Sequence, residues 1–283
     1  MMKKTWKYYD YCHEPYLPIA PVRGKLSSEA LLNNSLLQSS CQKPFLAIIK
    51  RIKDAIGPWN TVWGVKLEAG RLTWEVYFYN HGIVDPHKTV GSLFKVLRLY
   101  FKIPAFAEIG IERLPYFMFS VDLSDDVFRS KQISNTHLYI ESRSGESQGN
   151  SYYWGPDGTH LENHFEIFTM PGELDGLIHK VKNSVFLAKD SVAFLKNDLV
   201  KQLMPCHKVC VGNKTRKDGF YFSRVNVVQL LYFLKYFSYP EHIVDFVRSR
   251  QEKLDHLLYD VAFDVTLGPR GFDLSKSSYY GVF

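Results

Sequence analysis

The chain has 283 residues, 46 % apolar and 23 % charged, a balance that excludes a disordered chain, a collagen-like repeat and a disulfide scaffold. Thirty-five Lys and Arg against 29 Asp and Glu leave a net charge of +6. No block of five basic residues and no one-sided basic helix occurs, so the footprint of a nucleic-acid binder is missing. Four scattered cysteines and an N-terminus, MMKKTWKYYDYCHEPYLP, without a following apolar stretch lead us to expect a reduced, cytoplasmic protein. No apolar run reaches the roughly 18 residues of a membrane span.

Residues 1–25 carry Tyr and Pro without a period and read as an arm laid on the surface of a single domain, 1–283. From 26 onward two textures alternate. Apolar residues recur at three and four in SEALLNNSLLQSS, PFLAIIKRIKDAIG, KTVGSLFKVLRLYF, GELDGLIHKVKNSVF, NVVQLLYFLKYF and PEHIVDFVRSRQEKLDHLL, which predicts amphipathic helices. Between them lie alternating segments joined by Gly-containing turns: VWGVKLEAGRLTWEVYFY, YFMFSVDL with THLYIE, SYYWGPDGTHLENHFEIF, HKVCVGNKTRKDGFYFS and YDVAFDVTLGPRGFDLSKSSYYGVF. That predicts about ten strands in five antiparallel pairs, an α+β protein. SRSGESQGN, 142–150, reads as a hairpin loop.

The alternation assigns faces, because side chains along a strand point to opposite sides in turn. Leu72, Trp74, Val76 and Phe78 face helices, leaving Arg71, Thr73, Glu75, Tyr77 and Tyr79 on the other side. The same split sets Leu138 and Ile140 against His137, Tyr139 and Glu141. It also sets Phe165 and Ile167 against Glu162, His164 and Glu166, Val209 and Val211 against Lys208, Cys210 and Gly212, and Phe220 and Phe222 against Tyr221 and Ser223. An open sheet with a solvated second face would explain the charges. It would not call for so many of the 18 Tyr, nor for Gly64 and Gly212 beside lysines. Closure into a barrel removes the edges and turns the tyrosine face into a lumen.

Such a barrel, with helices outside and tyrosines, cations and carboxylates within, resembles the ABBA or PT-barrel aromatic prenyltransferases. The resemblance spans residues 45–283 and implies an enzyme that moves an isoprenoid from its diphosphate to an aromatic small molecule or peptide side chain. It implies cations for the diphosphate, rings that shield an allyl cation and a group that takes the acceptor's proton. The implied diphosphate ligands are Lys66, Arg71, Lys208, Lys214 and Lys276, and the implied shield is Tyr77, Tyr139, Tyr221 and Tyr280. Glu75, Glu162 and His164 are the implied catalytic groups. No cofactor is required, although magnesium could accompany the diphosphate; neither nucleic acid nor membrane is an expected partner.

Plainer readings stand beside these. Strand lysines blunt edges, tyrosines pack across strands, Glu75 could pair with Arg71 or with a neighbouring strand lysine, and Glu162 with His164 could make an ordinary strand hydrogen bond. A noncatalytic tyrosine-lined barrel binding an apolar ligand or partner peptide therefore remains the alternative. Asp122, Asp125 and Asp126 in DLSDD lack the second copy that an aspartate-rich magnesium motif needs, and Ser124 reads as a helix cap. Cys206, His207 and Cys210 lack a second ligand pair for zinc. A five-unit propeller of the guanidine-modifying kind would need a nucleophilic Cys near the chain end, and none follows Cys210.

Overall fold

The computed structural model describes residues 8–57, 61–80, 87–104, 111, 114–142, 145–268 and 271–283. Ten antiparallel strands close into one barrel in the order β1-β10-β9-β8-β7-β6-β5-β4-β3-β2. They are β1 Thr61–Glu68, β2 Arg71–Tyr79, β3 Tyr116–Leu123, β4 Thr136–Ser142, β5 Gly145–Gly155, β6 Gly158–Thr169, β7 Lys208–Lys214, β8 Asp218–Val225, β9 Tyr259–Gly268 and β10 Gly271–Val282. Each strand neighbours the next in sequence, and the one long-range closure is β1 on β10, where Trp63 faces Gly281 and Gly64 faces Tyr280. Small residues make this seam possible. A Cβ on Gly281 would lie 2.4 Å from the Trp63 ring and one on Gly64 2.7 Å from the Tyr280 ring. This closed barrel ringed by helices is the PT-barrel architecture and excludes the propeller.

The helices lie outside: α1 Glu29–Ser35, α2 Gln42–Ile56, α3 Val90–Leu97, α4 Asp125–Ser130, α5 Leu174–Lys182, α6 Ser191–Leu195, α7 Asp198–Leu203, α8 Val227–Tyr236, α9 Glu241–Ser249 and α10 Gln251–Leu254. Phe45, Ile48, Ile49, Ile52 and Ile56 of α2 pack with Trp63, Val65, Trp74 and Val76 of the barrel wall in one large apolar core. Burying each such side chain contributes about 1.5–3 kcal/mol. A smaller cluster, containing Val62, Tyr77, Tyr79, Met118, Ala262 and Tyr280, lies inside the barrel. The helix starts follow local chemistry: Asn226 and Gln229 form a reciprocal capping box on α8, and Ser124 accepts from the Val127 amide at the start of α4.

Several boundaries differ from the expectation. The first periodic segment keeps helix only over Glu29–Ser35, and PEHIVDFVRSRQEKLDHLL breaks at Arg250 between α9 and α10. The polar stretch 142–150 is mostly strand, since β5 begins at Gly145 and Asn150 pairs with Ile140; residues 143–144 lie outside the described residues.

The N-terminal arm departs further. Its residues 17–25 are largely exposed, but residues 8–16 fold into a small hairpin inside one end of the barrel rather than on its surface. Tyr9 bridges Pro15, the Asp10 amide donates to the Glu14 carbonyl at 3.1 Å and the Tyr16 amide to the Tyr8 carbonyl at 3.0 Å. Period alone could not reveal this, because the hairpin is held by partners roughly 70 to 250 residues away.

Candidate active site

Each strand contributes alternate residues to the lumen. At one end, where the β1–β2 and β7–β8 turns lie, a cavity of about 390 Å³ opens. Its inner wall carries Tyr77, Tyr139, Tyr221 and Tyr280 from β2, β4, β8 and β10. Their rings touch one another: Tyr77 lies 6.2 Å from Tyr139 and 5.9 Å from Tyr280, and Tyr221 lies 6.5 Å from Tyr280, centroid to centroid. Burial raises all four phenol pKa values, so the rings remain neutral.

Lys66, Lys214, Arg216, Lys217 and Lys276 line the same cavity. Lys214 and Lys217 share Asp264, at 2.5 and 2.9 Å. Lys276 and Arg216 have no carboxylate in ion-pair reach among the described residues, and they are the cations most available to an incoming anion.

Between rim and rings lies a chain of charges. Glu75, 4 % exposed, contacts Lys66 through one carboxylate oxygen and accepts the Tyr77 hydroxyl through the other. Lys66 also donates to Asp122 at 3.0 Å; Asp122 lies 3.6 Å from His137 Nε2, and His137 Nδ1 lies 2.7 Å from Glu162. Burial pulls His137 down, but the carboxylates of Asp122 and Glu162 outweigh it and hold the imidazole up at about 9. Burial likewise raises both acids, yet Lys66 and His137 hold Asp122 below the usual carboxylate range, and His137 does the same for Glu162. Asp122, His137 and Glu162 are therefore charged near neutrality, while burial pulls Lys66 down to about 8.

Of the residues singled out from the sequence, the structure brings Glu75, Glu162, Lys66, Lys214, Lys276 and the four tyrosines to one cavity. Three others lie elsewhere. Arg71 is exposed at the β1–β2 turn and lines an outer cleft with Arg129 and His242, so it does not neutralise Glu75, which Lys66 does instead. Lys208 points inward but at the opposite end, where its ammonium binds Glu14 of the arm at 2.6 Å.

His164 points outward. In the β5–β6 pairing, Asn163 faces Ser151 but Leu161 faces Tyr152, so Glu162 is an extra residue and a β-bulge. Beyond it every side chain changes face: Asn163, Phe165 and Ile167 pair with Lys214, Gly212 and Cys210 of the lumen side. His164 is left against Asn150 at 3.1 Å, and Glu166 against Lys180 of α5 at 3.1 Å.

The sequence reading passed over four lumen residues. Asp260 and Asp264 alternate with Tyr259, Val261, Phe263 and Val265, a signal plain in YDVAFDV. Asp122 was read only as part of an acidic motif, and His137 was placed on the correct face without a role. Among the described residues no group of three His, Cys, Asp or Glu is placed to hold a metal ion, and no helix is long and apolar enough to cross a membrane.

At the opposite end the arm hairpin is pinned from all sides. Asp10, 1 % exposed, binds Arg224 Nε at 2.7 Å; the Tyr11 amide donates to Asp260 at 2.8 Å; and the Tyr79 hydroxyl donates to the Tyr11 carbonyl. The Tyr11 ring stands among the lumen tyrosines, 4.7 Å from Tyr280, 5.2 Å from Tyr77 and 6.2 Å from Tyr221.

No protein-family model and no curated protein sequence matches the chain. Among solved structures it is similar to AnaPT from Neosartorya fischeri, with a TM-score of 0.51 at 12 % identity, over 90 % of this chain and 92 % of that one. At this identity the likeness is one of fold, and it supports the resemblance to the ABBA or PT-barrel architecture.

Proposed function

We propose that the barrel transfers an isoprenoid from its diphosphate to an electron-rich aromatic acceptor. One observation carries this reading: a single cavity has cations at its mouth, phenol rings at its depth and a buried carboxylate between them. The PT-barrel fold, which aromatic prenyltransferases use, adds weight at the level of architecture.

The chemistry follows from that order. Lys276 and Arg216, joined by Lys214 and Lys217 as they turn from Asp264, bind the diphosphate. The C1–O bond breaks, and its electron pair leaves with pyrophosphate, whose growing charge the same cations stabilise. The allyl cation forms against Tyr77, Tyr139, Tyr221 and Tyr280, whose electron-rich faces stabilise it and exclude water. A ring carbon of the acceptor supplies the electron pair of the new C–C bond, and the ring proton passes to Glu75. Lys66 and Tyr77 each occupy one Glu75 oxygen, and each oxygen retains a lone pair.

The test is incubation with dimethylallyl or geranyl diphosphate and a panel of indoles, phenols and peptides, read by mass for the added isoprenoid. Glu75→Gln should retain pyrophosphate binding and lose about a hundredfold to ten-thousandfold in turnover, the usual range for a general base. A second reading has one observation in its favour: Lys66, Lys214 and Lys217 are already neutralised, as in a barrel that only binds an apolar ligand. A wild-type protein that alkylates nothing while still binding prenyl alcohols would favour it.

A further inference from the structure

The walls and the floor of the chamber are built differently. Ten hydrogen-bonded strands fix its width. Its depth on the arm side depends on a short hairpin held by noncovalent contacts alone. We propose that residues 8–16 are the floor of the chamber and that Tyr11 determines how long an apolar chain the chamber accepts. The proposal rests on the transferase reading and adds its chain-length determinant.

Two features single out Tyr11. Its ring packs against three of the four lumen tyrosines, so it backs the chamber's tyrosine wall from the arm side. Its anchors lie elsewhere: the Tyr11 backbone binds Asp260 and Tyr79, and the flanking Asp10 and Glu14 bind Arg224 and Lys208. Side chain and anchorage are thus separable, and a change of ring should leave the hairpin in place. His13, at φ 58°, helps turn the tip back on itself, and its ring stacks on Tyr9 at 4.6 Å, so the floor keeps its own shape.

Truncating a phenol ring leaves space on the scale of one small apolar group; an engineered cavity of roughly 150 Å³ holds benzene. A five-carbon unit is of that order. Each buried methylene strengthens binding about fourfold, so one more isoprene unit accommodated is worth roughly tenfold or more in affinity. The wild-type floor should favour the short chain, and a shortened Tyr11 the longer one.

The experiment measures binding of unreactive thiolodiphosphate analogues of dimethylallyl and geranyl diphosphate to the full chain, as wild type, Tyr11→Ala and Tyr11→Phe. The expected result is a geranyl-to-dimethylallyl affinity ratio at least tenfold higher in Tyr11→Ala and unchanged in Tyr11→Phe. Should Tyr11→Ala fail to fold, Tyr11→Leu carries the same comparison with a smaller loss of volume. If both analogues bind and the ratio stays constant across the variants, the floor assignment is wrong while the transferase reading survives. If neither analogue binds the folded wild type, both fall together.

Discussion

His137 shows how much one side chain's setting can do. It sits between Asp122 and Glu162, and its pKa in the folded chain, about 9, lies above the ordinary 6.5. A raised histidine contributes stability that is fully present below pH 6.5 and lost as pH rises through about 9. The shift corresponds to a few kcal/mol at most, on the order of 1.4 kcal/mol per unit. Denaturant unfolding should therefore show stability falling from pH 6.5 to about 8, above which Lys66, pulled down by burial, titrates with the opposite sign, and His137→Gln should be less stable below pH 6.5 with a flatter profile over that window. A variant that keeps the wild-type slope would assign the titration to another group. Glu75→Gln offers a second check at this scale. Asp122 still neutralises Lys66 there, so destabilisation should stay well below the roughly 3–5 kcal/mol typical of orphaning a buried charge.

The same scale shows what the sequence could and could not reveal. Glu75 and Tyr77 were legible because β2 alternates without interruption, and Tyr221 because β8 does so around it. Asp260 and Asp264 are equally legible in YDVAFDV, where they alternate with apolar residues. The role of Lys208 was not legible, since parity gives a residue's face but not which end of a barrel it occupies, and its partner Glu14 is 194 residues away.

At the scale of elements, the bulge in β6 and the arm hairpin account for two of the three candidates found elsewhere, His164 and Lys208. One extra residue at Glu162 sends His164 to the helix side, and its trace in LENHFEIF is the run of three polar residues, Glu162, Asn163 and His164, where the alternation breaks. The bulge has a use: it brings Glu162 and Asn163, consecutive in sequence, both to the cavity. The arm gives a prediction at this scale. Lys208→Met removes the ammonium that holds Glu14 and should speed proteolysis within residues 8–16 severalfold, while leaving the thermal stabilisation by pyrophosphate unchanged. Lys276→Ala should do the reverse. Were Lys208→Met to abolish the pyrophosphate response, the anion would bind at the arm's end and the cation rim would lose its assignment.

Across the whole molecule, the barrel's closure was legible in the number of strands and the chemistry of their second face, whereas the occupation of one end by the chain's own N-terminus was not. That occupation brings two carboxyls together. Burial raises both Asp10 and Asp260, and the charge of Asp10 raises Asp260 further, against the opposing pull of Arg224. Glu14, Cys12 and Tyr16 of the arm, His207, Lys208 and Cys210 of the β7 region and Tyr79 of β2 complete the surroundings. When the arm leaves, Asp10 returns to water and to the ordinary carboxylate range near 3.8. The docked arm thus holds its protons more tightly than the free one. Docking should be strongest where Glu14 is ionised against Lys208 but the two aspartates still hold a proton, and it should weaken as pH rises through their raised values, where two ionised carboxylates would face one guanidinium. The check is the rate of cleavage after the tyrosines of residues 8–16, normalised at each pH to a free peptide of the same sequence. That normalised rate should climb with pH in the wild type. In Asp260→Asn it should be flatter, because the amide carries no proton to lose; the Tyr11 and Arg224 amides donate to different Asp260 oxygens, so the single amide oxygen keeps one of them and cleavage should be faster at every pH. A wild-type profile as flat as the variant's would mean that the two aspartates do not latch the floor to the barrel.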